Sequence, residues 1–555
     1  MAGDSGSTRL RIAAAVGVTL AVGSTAYLLW RYRRCHGLPS KRRDPDGGPA
    51  STLPHKSNGA GADSLLQVSA EPSVESCQAA KNSGNDLFRA EKYTEAVECY
   101  TQALALCPSD RSPELATCFQ NRAAAQEKLG KWEAVLHDCS RAVELNPKYV
   151  KALARRTRAN EQLGNKTAAL EDITAVCILQ GFTNQNSMLT ADRILKEMGW
   201  EKARETFKNR KSVLPSTQFI RSYFSSFVED GIGDVDLSDT DDSSAFITAL
   251  RHLAAGRYES VHPECEREIE EGGSWAKEAQ LLRATFLLLV GDGEKALEDL
   301  EFLIAAENIS AKVIVNALIK RGSLHMQMQS PTGSIADFER AAKLAPNNAD
   351  VFHHRGQLFM LLERIDDAIA DFEKCIKLQP DFALVHAQLA FSKYRHAMVN
   401  ENEPAVKSCL NELESVVNKF PKSTEACALY AQALTDQQEF AKAEKMYDNC
   451  ISLEPDNATP YVHKGLLQLQ WKQDLEGGVE LISHALKVDS KCDFAYETLA
   501  TIEVQRGNLE RAISLFHHAI ELARSEMEIA HLLSLCDAAH AQSAVMAKYG
   551  LRPPF

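Results

Sequence analysis

Two lysines, an arginine and two asparagines stand at spacings that would gather them on one wall. Lys81 and Asn85, and again Lys151 and Arg155, are four residues apart, so each pair shares a helix face, and Asn121 stands at the matching place in the stretch between them. The cations supply charge and the amides hydrogen bonds, a set suited to gripping two carboxylates at close range. Residues for making or breaking bonds are missing. There is no phosphate-binding loop with its lysine, no glycine-rich dinucleotide turn, no His-Glu-x-x-His and no Gly-x-Ser-x-Gly. The 14 cysteines contain no Cys-x-x-Cys pair, which argues against both a zinc site and a small-domain disulfide framework and fits free thiols in a reducing compartment. Neighbouring side chains on a helix point about 100° apart, so His353-His354 and His517-His518 cannot jointly face one metal ion. Cys99, Cys139, Cys375 and Cys450 fall where helix packing wants a small apolar residue. The chain therefore reads as a binding protein, with no enzyme activity, no cofactor and no metal.

The elements that must hold such a wall are paired helices. Leu129-Gly130 recurs 34 residues later as Leu163-Gly164, Pro346 as Pro380 and Pro421 as Pro455. Within one period, Gly84, Leu87, Ala96, Tyr100, Ala103 and Pro108 supply a close contact, core residues and a helix stop, and Ala123, Trp132, Ala142 and Pro147 repeat them. This is similar to the tetratricopeptide pattern. Phe352, Gly356, Phe359, Ala368, Phe372 and Pro380 carry it into the C-terminal half, where Gly465 and Gly507 mark later units. The units near 249–270 and 282–303 are degenerate. Between Pro380 and Pro421 the spacing stretches to 41, which predicts a longer loop around 399–404. The expected fold is all-α, a superhelical solenoid in two modules, each helix pair burying its apolar face against its neighbours around a concave groove.

Upstream, residues 12–30 run for 19 positions without a charge, just enough to cross a hydrocarbon core of roughly 30 Å as a helix. Arg31, Arg33, Arg34, Lys41, Arg42 and Arg43 follow it against Arg9 and Arg11 before it, so the positive-inside rule predicts an uncleaved transmembrane anchor with the bulk of the chain in the cytosol. Residues 31–76 are basic, then rich in Gly, Pro and Ser, and read as a flexible linker. A three-repeat module is expected over 77–180, a connector over 181–244, the second array over 245–545 and a tail over 546–555. The connector holds seven carboxylates between Glu229 and Asp242 in no calcium-loop register, and reads as a solvated loop in which Ser238 and Thr240 are candidate phosphorylation sites. The net charge of −13 and the lack of a sustained basic face exclude a nucleic-acid partner.

The set Lys81, Asn85, Asn121, Lys151 and Arg155 resembles the dicarboxylate clamp of co-chaperone tetratricopeptide domains, which grips the C-terminal Glu-Glu-Val-Asp of cytosolic 70 and 90 kDa heat-shock chaperones. Anchor, clamp module and longer array, together with the stretches NRAAAQEKLGKWEAVLHDCSRAVELNPKYVKALARRTRA, LEDITAVCILQGF and PSTQFIRSYFSSF, resemble the 70 kDa-type import receptor of the mitochondrial outer-membrane translocase over nearly the whole chain. The resemblance implies a single-pass outer-membrane location, residues 1–11 in the intermembrane space, and other translocase subunits as partners. It also implies docking of chaperone-bound preproteins with internal targeting signals, metabolite carriers among them. By position, Asp350, His353, Gln357, Met360, Glu425 and Gln432 would line the preprotein groove, an acidic and soft apolar mix suited to basic amphipathic helices. An organelle-anchored co-chaperone or a signalling scaffold without an import role is the alternative.

Overall fold

The computed structural model describes residues 73–229, 232 and 244–551. The expected N-terminal tail, the span over 12–30, nearly all of the linker, most of the acidic run with Ser238 and Thr240, and the last four residues lie outside them. The described residues form 25 α-helices and no strand. No helix among them is long and apolar enough to cross a membrane.

Two compact units share the chain. The first begins with three helix hairpins: α1 (Val74–Arg89) with α2 (Tyr93–Leu106), α3 (Ser112–Lys128) with α4 (Trp132–Leu145), and α5 (Val150–Gln162) with α6 (Lys166–Leu179). Each hairpin turns through a residue in the left-handed region: Glu91 at φ 60°, Gly130 at 69° and Gly164 at 77°. Glycine enters that region without the clash a Cβ brings, which explains the recurring Leu-Gly. The unit runs on into α7 (Gln185–Asn209) as far as Glu201 and takes in residues 534–551 from the other end of the chain, so it extends past the boundary expected at 180. The reason is apolar: Ile194, Met198, Ala541, Val545 and Leu551 join one core with Leu170, Ile173 and Val176.

The second unit covers residues 202–533. A short helix, α8 (Thr217–Ser225), precedes the hairpin of α9 (Ala245–Ala254) and α10 (Val261–Glu270). Seven more hairpins follow: α11 (Ala276–Val290) with α12 (Gly293–Ala305), α13 (Ala311–Gln327) with α14 (Pro331–Leu344), α15 (Ala349–Leu361) with α16 (Ile365–Leu378), α17 (Ala383–Val399) with α18 (Glu403–Lys419), α19 (Thr424–Asp436) with α20 (Phe440–Leu453), α21 (Ala458–Trp471) with α22 (Leu475–Val488), and α23 (Asp493–Gln505) with α24 (Leu509–Leu522). The final helix is α25 (Glu526–Tyr549). The long spacing from Pro380 to Pro421 is not a long loop. Helices α17 and α18 are 17 residues each where α15 has 13 and α16 has 14, and only residues 400–402 join them. The extra residues give each helix about one more turn, because Tyr394, Ala397, Val406 and Cys409 are apolar at helical spacing and bury together.

Candidate functional site

In the first unit the first helix of each hairpin carries the cationic and amide set. Asn121 on α3 donates its amide to Asn85 Oδ1 on α1 at 3.1 Å, and the Tyr100 hydroxyl donates to the same oxygen at 2.9 Å. This fixes the orientation of Asn85 and leaves its NH2 group to face away from the contact. Arg155 on α5 reaches the carbonyl of Gln120, the neighbour of Asn121, at 3.4 Å. Lys81 lies close enough to Cys118 on α3 to draw the thiol pKa down, although burial dominates and holds that thiol up at about 12. Lys151 is exposed, one helical turn before Arg155. Asn85, Asn121 and Arg155 are thus brought together, with Lys81 alongside, and neither lysine has an ion-pair partner among the described residues.

Arg155 already holds a carboxylate. Its Nε donates to Glu127 Oε2 at 2.6 Å, and Arg158 grips the other oxygen at 2.6 Å. Burial acts to raise the Glu127 pKa, but hydrogen bonds from Arg158 and Arg155 outweigh it and hold the carboxyl below its usual range. Periodicity did not single out Glu127, because it lies at the end of α3, off the row that repeats every 34 residues; its only sequence signal is a lone acid near the expected wall.

The expected groove residues in the second unit lie mostly under cover. Asp350, His353, Gln357 and Gln432 are each exposed by 2% or less. Over Asp350 and His353 the covering chain is residues 226–229. Asp350 accepts backbone N–H bonds from Val228 and Glu229, both at 2.8 Å. Burial holds its pKa at about 6 against the pull of those two bonds. His353 Nδ1 donates to the Ser226 carbonyl at 3.1 Å and Nε2 accepts from Gln357 at 2.9 Å, while burial lowers the histidine pKa to about 4. Met360 is half-buried against the Phe352, Phe359 and Phe372 cluster. Glu425, its carboxyl raised by burial, borders a cavity of about 160 Å³ together with Leu214, Phe219, Thr424 and Phe494. Gln432 has no hydrogen-bond partner on either amide atom.

Hairpins stacked at a 34-residue period, with a polar wall on one unit and a covered polar face on the other, define an all-α tetratricopeptide solenoid, a class that binds polypeptides instead of transforming small molecules. Tetratricopeptide-repeat family profiles match residues 75–148, 315–348, 349–382 and 424–457. The human mitochondrial import receptor subunit TOM70 is 51% identical to this chain, over 99% of it and 94% of the relative. The Saccharomyces cerevisiae receptor subunit of the same name is 26% identical over 84% of this chain and 80% of the relative. A crystal structure of the yeast Tom70 covers 86% of this chain and 98% of its own, at a TM-score of 0.50 and 26% identity. The chain belongs to the TOM70 family of mitochondrial import receptors, and it is a receptor, not an enzyme.

Proposed function

We propose that this receptor docks cytosolic 70 and 90 kDa heat-shock chaperones by their acidic C-terminal tails on Lys81, Asn85, Asn121, Lys151 and Arg155. Preproteins with internal targeting signals, such as metabolite carriers, then bind the array over 245–545. Residues 12–30 anchor the chain in the mitochondrial outer membrane in a single pass, with the body in the cytosol beside other translocase subunits. The observation that supports the clamp most directly is the Asn121–Asn85 contact beside Arg155, with Lys81 and Lys151 on the same first helices and without an ion-pair partner among the described residues, since these are donors still available to a carboxylate.

The test is titration of a peptide ending in Glu-Glu-Val-Asp against the wild-type chain and the Arg155→Ala variant. Truncating one partner of a desolvated, hydrogen-bonded charge pair costs roughly 2–5 kcal/mol, so binding should weaken at least thirtyfold. Equal affinity for the two proteins would remove the clamp assignment.

A further inference from the structure

Residues 213–229 lie against the first helices of the array's hairpins in the manner of a bound peptide. Ser216 caps α8 by accepting the N–H of Phe219 at 3.2 Å. From there Phe219, Tyr223 and Phe227 follow at four-residue spacing and set one aromatic face against the array. The Arg524 guanidinium lies 4.0 Å from the Phe219 ring centre, the Lys320 ammonium 4.0 Å from that of Phe227, and the ring centres of Phe227 and His354 are 4.3 Å apart. Gln218 donates to Glu454 at 2.8 Å, Arg221 pairs with Asp456 at 3.0 Å, and Lys491 donates to the Leu214 carbonyl at 3.2 Å. At the far end the grip is on main-chain groups, the N–H groups of Val228 and Glu229 on Asp350 and the Ser226 carbonyl on His353. Main-chain recognition of this kind accepts any sequence that brings the same backbone.

The face beneath is unlike a permanent core. Asp350, His353 and His354 meet the segment, Thr424 borders its cavity, and Gln357 and Gln388 bond to His353; all are buried, and polar groups are rarely placed where nothing but a fixed apolar neighbour will meet them. The fit is also incomplete. Thr424 Oγ1, on the wall of the larger cavity, and His354 Nε2, beside Phe227, find no partner; the cavity of about 160 Å³ remains beside Leu214 and Phe219, and a smaller one of about 30 Å³ lies against Phe219, Tyr223, Leu289 and Lys320. An unmade buried hydrogen bond is costly, so a ligand that met those groups would be favoured over the present occupant.

We infer that residues 216–229 are an internal stand-in for the client, and that the client is a helical peptide with large apolar side chains at positions i, i+4 and i+8, followed by an extended turn offering free N–H groups to Asp350. This rests on the reading of the array as the preprotein-binding module. The client must displace the segment, so its apparent affinity is reduced by the fraction of molecules in which the face is open. The segment thereby sets a threshold that weakly matching helices do not cross.

The experiment uses the full chain and a fluorescent peptide copying residues 213–229. Two variants loosen the segment from opposite ends and leave the receiving face intact: Phe227→Ala removes the ring that meets Lys320 and His354, and Arg221→Glu sets like charges against Asp456 at an exposed position that folding of the array does not need. The peptide should bind Phe227→Ala about tenfold and Arg221→Glu about threefold tighter than wild type. Hydrogen exchange of amides 217–229 should speed up in wild type when a carrier-derived peptide is added at saturation. If that peptide binds all three proteins equally and amides 217–229 exchange as slowly as the core of α15 with or without it, the stand-in is refuted while the receptor reading stands. If the carrier-derived peptide binds none of them but the copy of 213–229 still prefers the variants, the stand-in is supported and the receptor reading falls.

Discussion

Single buried side chains give the array a pH dependence that can be worked out group by group. Burial lowers the His353 pKa to about 4 and the His463 pKa to about 3, against an ordinary value near 6.5. In the unfolded chain both take up a proton near 6.5 that the folded chain refuses, so their contribution is fully present above that value and lost as pH falls below it. Asp350 and Asp436 act in the opposite sense. Burial holds both at about 6, so their contribution is present below the unfolded carboxylate value near 3.8 and lost as pH rises through 6. Between pH 7.5 and 6 the unfolded-state histidines take up protons ahead of the two aspartates, and below 6 the aspartates offset most of the further loss. The melting temperature of the array should therefore drop on acidification from pH 7.5 to 6 and flatten below. His463 is the residue with which to check the cause. Its ring lies between Tyr447 and Phe494, with centres 5.8 and 5.1 Å away, and its Nε2 is unpartnered. Replacing a buried, unsatisfied polar ring by an apolar one of similar shape removes a penalty of about 1–3 kcal/mol. His463→Phe should raise the melting temperature and reduce its slope between pH 7.5 and 6, read by thermal unfolding across that range. A variant whose slope equals that of wild type would show that His463 does not drive it.

At the scale of the repeat, one spacing does two jobs. An arginine on the first helix of a hairpin forks onto an aspartate sixteen residues later on the second, as Arg122–Asp138, Arg156–Asp172, Arg283–Asp299, Arg321–Asp337 and Arg355–Asp371. A glycine on the first helix meets a ring at the same interval. A Cβ on Gly356 would lie 2.6 Å from Phe372, and one on Gly84 would lie 2.6 Å from Tyr100. In the hairpins that carry both, with Arg321 beside Gly322 and Arg355 beside Gly356, the helices cross closely at the glycine and are held in register by the fork one residue away. Arg321→Ala leaves Asp337 nearly sealed from solvent with only His325 nearby, at 3.6 Å, and should lower stability by about 3 kcal/mol in urea unfolding. Arg321→Leu with Asp337→Leu should recover most of that loss, because no buried charge is then stranded. Gly356→Ala should cost about 1–3 kcal/mol through overpacking. The glycine and aromatic half of this rule was legible in the sequence, since Gly84 with Tyr100 and Gly356 with Phe372 belong to the 34-residue pattern. The arginine and aspartate half was equally regular but went unread, because charged residues at helical positions look like ordinary solvated faces until the partner helix is known. The same blindness affected residues 213–229. Their aromatic spacing is plain, but the groups that receive them, from Leu289 and Lys320 to Arg524, stand more than sixty positions downstream, beyond the reach of any local period.

Across the whole chain, the least legible feature is that the first unit is completed from its C-terminal end. The clamp row could be anticipated because it is periodic, and the three hairpins because each repeats the one before. Such an array needs a cap on its last apolar face, however, and local sequence does not say what supplies it. Here α6 and α7 are closed by residues 534–551. Ala541, Val545 and Leu551 enter the core with Ile194 and Met198, Ser534 donates to the Leu195 carbonyl at 3.0 Å, and Arg156 donates to the Tyr549 hydroxyl at 2.8 Å across 393 positions. Arg156 is thereby tied both to Asp172 and to the last turn of the final helix, one residue after the clamp arginine. A chain ending at Leu533 should keep the stability of the array but lose protection in the first unit. Amides of α6 and of residues 185–201 should exchange at least tenfold faster, and affinity for a peptide ending in Glu-Glu-Val-Asp should fall because α5 is no longer held against a fixed neighbour. The milder Tyr549→Phe should cost about 1.5–3 kcal/mol, as expected for a hydrogen bond to a charged group, and produce the same change in exchange to a smaller degree. If the chain ending at Leu533 kept wild-type exchange in α6, the C-terminal residues would be a passenger on the first unit and its core would end at Glu201.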